Sequence, residues 1–188
     1  LVDMAEVALT RLVIKGYYGT AKDSVGLETQ GRESLWMSEV YIGANIPWYI
    51  ARNPNTTAAS QPGYLSADHY SVQNCQLVSV SGTTLAKPHS CISVEPGAHC
   101  SSVAIRNTAS VGGKFSIHWN QSVTPHAYSS NWLLESVRTE QGQSIDSSSY
   151  SLYFNLDAFA LRQLTLINCE LDANRNGVFT RNVWYQNW

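Results

Sequence analysis

Charge is scarce in this chain. Of its 188 residues only 14% are Asp, Glu, Lys or Arg, and the formal net charge is −2. The twelve Lys and Arg residues form no run. A nucleic-acid partner needs clustered cations to displace counterions from phosphates, so none is expected. Apolar runs are short as well. None approaches the ~20 residues of a bilayer-spanning helix, so no membrane insertion is expected. The four cysteines, Cys75, Cys91, Cys100 and Cys169, include no Cys-x-x-Cys pair. They are too few for a disulfide scaffold at this length and read as small buried fillers. His89, Cys91, His99 and Cys100 lack the regular spacing of a zinc site, and Asp68-His69 has no Gly-x-Ser-x-Gly elbow to serve. Gly-rich phosphate loops are missing too. No metal and no cofactor are expected.

Helix formers are thin on the ground. Lys and Glu are scarce while Ser and Asn abound, and the latter compete with helical hydrogen bonds. Only Leu1–Arg11 has a weak helical pattern. β-Branched and aromatic residues fill the apolar positions, which suits strands. Aromatics reach 11%, with six Trp and ten Tyr. Flat rings beside Asn and Ser are typical of surfaces that recognise sugars or proteins.

What is present is a motif that returns. Leu164-Thr165-Leu166-Ile167-Asn168-Cys169-Glu170-Leu171 echoes Tyr70-Ser71-Val72-Gln73-Asn74-Cys75-Gln76-Leu77, and Val103-Ala104-Ile105-Arg106-Asn107-Thr108 is a third copy. Asn74 and Asn107 lie 33 residues apart, and Asn168 follows 61 residues on, close to two such periods. A short alternating strand that keeps ending in one polar residue is the signature of a solenoid. Stacked Asn side chains can hydrogen-bond along the axis, and Asn tolerates the bend between sheets. Ser136 takes the matching place between Asn107 and Asn168.

Six rungs are predicted. Their first strands run over Ala8–Tyr17, Ser34–Gly43, Tyr70–Val80, Ser102–Val111, Trp132–Glu140 and Arg162–Leu171. Second strands follow over Ile46–Ala51, Cys91–Glu95, Lys114–Trp119, Ser151–Leu156 and Gly177–Tyr185. Gly112-Gly113 makes a tight corner, and turn-rich stretches at Arg52–Gly63 and Gly142–Ser149 separate rungs. The fold class is all-β, a right-handed parallel β-helix, with a many-stranded sandwich as the competitor. The chain opens mid-pattern at Leu1 and ends in Trp184-Tyr185-Gln186-Asn187-Trp188, so residues 1–188 read as one β-helix segment of a longer protein.

Ser130–Trp188 resembles the distal part of bacteriophage tail-spike proteins. The resemblance rests on Val137-Arg138-Thr139-Glu140-Gln141-Gly142, Tyr150-Ser151-Leu152-Tyr153, Leu166-Ile167-Asn168-Cys169-Glu170-Leu171-Asp172 and Asn176-Gly177-Val178-Phe179, in that order. Ile42-Gly43-Ala44-Asn45-Ile46-Pro47 also resembles a coil of these spikes. It is a likeness of pattern, and the group has no invariant catalytic signature. The resemblance implies a homotrimer on the virion tail that binds, and cleaves, a bacterial surface polysaccharide such as a capsule or O-antigen.

Aligning the last two rungs on Ser136 and Asn168 sets Glu140 over Asp172 and Arg138 over Glu170. Neighbouring coils are ~4.8 Å apart. Retaining glycosidases hold their carboxyl pair at ~5–5.5 Å and inverting ones at ~6.5–9.5 Å, so a rung-to-rung pair suits the first. Glu140 and Asp172 are the expected catalytic pair, with Glu170, Asp157 and Glu135 as further candidates. A solvated acidic face is the plain alternative, and a one-residue slip of register would separate the two. β-Elimination on the same scaffold would need a base and a cation, for which Arg138, Arg175, Lys114 or His118 could serve. Trp119, Trp132, Tyr153 and Trp36 are candidates for a sugar platform, with core filling as the competing role. Trp48 is expected in the core or a subunit interface. A binding-only receptor spike and a cellular pectin-type β-helix enzyme remain the other readings.

Overall fold

The hexapeptide Glu-Ser-Leu-Trp-Met-Ser at residues 33–38 shows how this sequence makes a sheet. Leu35 and Met37 are each 1% exposed while Trp36 between them is 62% exposed. That period of two fixes one face inward and one outward. The same alternation recurs at His69–Gln73 and Ser102–Arg106 in the computed structural model, which describes residues 5–16, 24–29, 33–51, 69–80, 90–96, 98, 101–120, 130–140, 149–156, 161–172, 177–181 and 183–185.

Each coil contributes three strands. The first holds β1 (Ala5–Thr10), β2 (Val13–Lys15) and β3 (Val25–Thr29), and the second β4 (Glu33–Ser38), β5 (Tyr41–Ala44) and β6 (Ile46–Ile50). The third holds β7 (His69–Gln73), β8 (Gln76–Ser79) and β9 (Ser90–Val94), and the fourth β10 (Ser102–Arg106), β11 (Ala109–Gly112) and β12 (Phe115–Asn120). The fifth holds β13 (Ser130–Glu135), β14 (Arg138–Glu140) and β15 (Tyr150–Asn155). The sixth holds β16 (Leu161–Ile167), β17 (Glu170–Leu171) and β18 (Val178–Arg181), and β19 (Val183–Tyr185) opens a seventh. The first strands of successive coils form a seven-stranded sheet, and the second and third strands form two six-stranded sheets. Every described pairing is parallel. The protein is an all-β parallel solenoid of three sheets, with no helix among the described residues. A sandwich of antiparallel strands is thereby ruled out.

The chain turns from the first sheet to the second at one residue per coil. Arg11, Glu39, Asn74, Asn107, Ser136 and Asn168 all have left-handed φ, between 46° and 56°. The backbone ladder passes through this bend unbroken. The N–H of Asn74 donates to the Arg106 carbonyl at 3.1 Å, that of Asn107 to Glu135 at 3.0 Å and that of Ser136 to Ile167 at 2.8 Å. In four of the six coils the next residue is small or branched and buried: Val40, Cys75, Thr108 and Val137. Where it carries a donor, it caps the carbonyl two residues back: Thr108 Oγ1 to Arg106 at 2.8 Å, Cys75 Sγ to Gln73 at 3.1 Å, Cys169 Sγ to Ile167 at 3.5 Å. The paired Asn-Cys and Asn-Thr of the repeat are thus a bend residue followed by its cap. The recurring Asn residues stack through their backbones. A side-chain amide bond along the axis does occur, but in the third sheet, where Asn155 Nδ2 donates to Asn120 Oδ1 at 2.9 Å.

The corner into the third sheet varies. In the second coil it is the single residue Asn45, 2% exposed. Its Oδ1 accepts from the Ser24 N–H and hydroxyl, both at 3.0 Å, and its Nδ2 donates to the Val80 carbonyl at 2.8 Å. One side chain so ties three successive coils. In the fourth coil the corner is Gly112-Gly113, with φ of 81° and 74°. A Cβ on Gly112 would run into the Ser79 carbonyl, so only glycine fits.

The core is a set of columns. Leu35, Tyr70, Val103, Trp132 and Leu164 stand in register, as do Met37, Val72, Ile105 and Leu134. Trp132 meets Phe154 edge-on at 5.7 Å and Trp119 at 6.0 Å. Trp48 is fully buried and donates its Nε1 to Thr29 Oγ1 at 3.1 Å.

Several expectations need correction. The weak helix at Leu1–Arg11 contains β1 instead, because Val7 and Leu9 alternate inward and pair with Leu35 and Met37. Each long first strand is two strands, broken at the left-handed residue. β3 was not expected. Gly177–Tyr185 is also two strands, β18 in the third sheet and β19 in the first.

The bend generates a test. Left-handed φ costs a residue with a Cβ ~1–2 kcal/mol, and Asn pays least of the ordinary side chains. Glu39→Asn is expected to stabilise the fold by about 0.5–1 kcal/mol, since the Arg11–Glu39 ion pair it removes is largely exposed. Asn107→Val should destabilise by more than about 1 kcal/mol. Urea unfolding of both variants measures the difference.

Candidate functional site

β14 reads Arg-Thr-Glu around one inward residue. Thr139 is 1% exposed, while Arg138 and Glu140 face solvent. β14 and β17 pair in parallel with Arg138 opposite Glu170 and Thr139 opposite Leu171. The ladder continues one residue further, because the Asp172 N–H donates to the Thr139 carbonyl at 3.2 Å and to its Oγ1 at 3.0 Å. Extending this register by one residue sets Glu140 next to Asp172 on the adjacent coil. Ser151 Oγ donates to the Asp172 carbonyl at 2.7 Å and lies 3.3 Å from Thr139 Oγ1. These bonds fix the Asp172 backbone, while Glu140 extends from the strand end on a longer arm.

The other acids are engaged by arginines on the neighbouring coil. Arg138 Nε lies 3.5 Å from Glu170 Oε2, and Arg106 Nε lies 3.0 Å from Glu135 Oε2. Both pairs are partly or largely exposed, so each contributes little to stability. Asp157 and Arg175 lie outside the described residues, as do His89, His99, Cys100 and Asp68. Among the described residues no three His, Cys, Asp or Glu side chains converge as metal ligands.

The aromatic candidates divide sharply. Trp132 and Trp119 are 1% and 2% exposed and sit inside the solenoid. Their places in β13 and β12 have the inward parity, so neither offers a ring face to a ligand. Tyr153 faces outward on the third sheet, but its faces are taken. It stacks on His118 at 5.2 Å and 12°, and on Phe179 at 4.9 Å and 15°. Phe115 and Tyr150 stack beside them at 6.4 Å and 4°. This is a ladder of rings in register on successive coils. It stabilises coil stacking through aromatic contacts worth about 0.5–1.5 kcal/mol each. Trp36 is the candidate whose ring stays open, on the outer face of the first sheet.

Two features were not singled out from sequence. One is the partnership of Phe179, Phe115 and Tyr150 with Tyr153; their signal was an aromatic at equivalent places in neighbouring rungs, Phe115 with Tyr150 and Tyr153 with Phe179. The other is Tyr49, which lies beside Glu28 in register. Burial, and the nearby carboxylates of Glu95 and Glu28, push its phenol up to about 12.

Comparison with models of protein families, with curated proteins and with solved structures found no match to this chain.

His118 supplies a pH test. Burial in the ring ladder, helped by the nearby Lys114 ammonium, lowers its imidazole to about 4. The folded protein then binds fewer protons here than the unfolded chain between about pH 6.5 and 4. Stability should be fully present above pH 6.5 and fall on acidification through that window, by roughly 2–3 kcal/mol from this group. His118→Phe keeps the stack and should lose that part of the slope. Urea titrations at pH 7 and pH 4.5, wild type against variant, read it directly.

Proposed function

We propose that this chain is part of a phage tail spike that binds a bacterial surface polysaccharide, capsule or O-antigen, and cleaves it by glycoside hydrolysis. In this reading the solenoid is right-handed, as parallel crossovers almost always are, and three copies assemble on the virion tail. The observation that carries the reading is the register that seats Glu140 and Asp172 side by side on adjacent coils. A long flank of stacked strands suits an extended polymer, and the spacing suits the retaining mechanism.

The roles follow from how each carboxylate is held. Asp172 has the anchored backbone and acts as nucleophile at the anomeric carbon. Glu140 has the longer arm and protonates the leaving glycosidic oxygen, then takes a proton from the water that hydrolyses the glycosyl–enzyme intermediate. Elimination has less support. Arg138 is occupied by Glu170, and His118 is held neutral between rings, so neither is placed as the free cation that a uronate carboxylate requires.

Glu140→Gln and Asp172→Asn should each reduce release of reducing-end oligosaccharides by about 10²–10⁴-fold, with unchanged circular dichroism. If both variants cleave as well as the wild type, this assignment is wrong. Ultraviolet absorbance from an unsaturated product would replace hydrolysis with elimination, and binding without any cleavage would leave a receptor-only spike.

A further inference from the structure

We infer that the outer face of the first sheet carries a separate saccharide-stacking subsite centred on Trp36, which would bind one pyranose unit of a polymer away from the carboxylate pair. This rests on the polysaccharide reading above and extends it to a second face. Trp36 stands in the middle of β4, a strand paired on both sides, so it is not a frayed edge. It is 62% exposed although its neighbours Leu35 and Met37 are each 1% exposed.

The outward neighbours explain that exposure. Trp36 is opposite Ala8 on β1 and Ser71 on β7. Both side chains are too short to cover an indole. Ser38 on its own strand, His69 and Gln73 at the diagonals of β7, and Glu6 on β1 surround it with hydroxyl, imidazole, amide and carboxylate groups. An open flat ring bordered by short polar side chains matches the two needs of a pyranose. The ring takes the apolar C–H face, and the border takes the equatorial hydroxyls. A buried protein interface would favour branched apolar neighbours over this polar border. The contrast with the third sheet is direct: there rings fill both faces of Tyr153, and here no ring stands at the two places opposite Trp36.

The carboxylate pair lies on the second sheet in the fifth and sixth coils, and Trp36 lies on the first sheet in the second coil. The offset along the axis is about three strand spacings, roughly 14 Å. A polymer chain therefore meets Trp36 several sugar units from the bond that is cut. The subsite serves retention of the polymer between cleavage events.

The test uses the full chain against an array of purified capsular and O-antigen polysaccharides. The polysaccharide retained by the wild type is then titrated against Trp36→Ala and Trp36→Phe. Trp36→Ala should weaken binding about tenfold, and Trp36→Phe should recover most of it, because a smaller ring still stacks. Equal affinity of Trp36→Ala and wild type overturns the subsite while leaving the polysaccharide reading intact. Failure of the wild type to retain any polysaccharide overturns both. Sedimentation velocity separates the remaining outcome: if Trp36→Ala lowers the oligomeric mass and leaves glycan affinity unchanged, this face joins copies of the chain, and the subsite is wrong.

Discussion

Parallel stacking in strict register is the constraint on which everything else in this molecule depends. Once each strand hydrogen-bonds to its equivalent one coil away, every side chain has a neighbour of known identity at about 4.8 Å. Packing, charge pairing and ring contacts are then all decided along columns. The ion pairs Arg11–Glu39, Arg106–Glu135 and Arg138–Glu170 all join equivalent places on adjacent coils. The rings of His118, Tyr153 and Phe179 meet for the same reason. In the interior, Trp132 occupies the column that holds Tyr70 and Val103.

Keeping register requires the corners to be as regular as the strands. The left-handed residue accomplishes this between the first two sheets, since it turns the chain without skipping a backbone bond to the next coil. Asn holds three of the six places, where its short polar side chain lowers the steric cost. The following Cys or Thr supplies a donor to the carbonyl that the turn exposes. Burial pushes the Cys75 thiol up, so it stays protonated and keeps that donor. The corner into the third sheet has no such rule. Asn45 and Gly112-Gly113 are different solutions to it.

The architecture was legible in the sequence where one residue type served one geometric role. The Asn recurrence marked the left-handed bend, and Ser136 was found by spacing alone. Arg11 and Glu39 escaped notice at the same bend because nothing in their chemistry signals positive φ. The strand breaks were hidden for a related reason. The left-handed residue shifts the alternation by one place, from Leu35 and Met37 to Val40 and Ile42, and a single shift inside ten residues is easily read as one long strand. β3 was missed because Val-Gly-Leu-Glu-Thr has a glycine where a strand would favour a branched residue. The Arg138–Glu170 alignment was readable because register follows once two bends are matched. The role of Trp119 and Trp132 was not, since a ring at a strand end reads alike whether it points in or out. Only the parity relative to Leu134 and Ile117 decides it, and that parity depends on the position of the bend.

Cys91 illustrates what the interior imposes on chemistry. Its thiol is 0% exposed, sits near the carbonyls of Leu77 and Val111 at 3.5 Å and 3.3 Å, and is pushed up to about 11 by burial. Alkylating reagents attack thiolates that they can reach, and this one is neither ionised nor reachable while the coils are closed. Its modification rate is therefore a clock for opening of the third and fourth coils. Cys169, partly accessible in the sixth coil, marks opening at that end instead. Without an added label, the buried thiols of Cys75 and Cys91 report rupture at the middle, and Cys169 reports local breathing at one end.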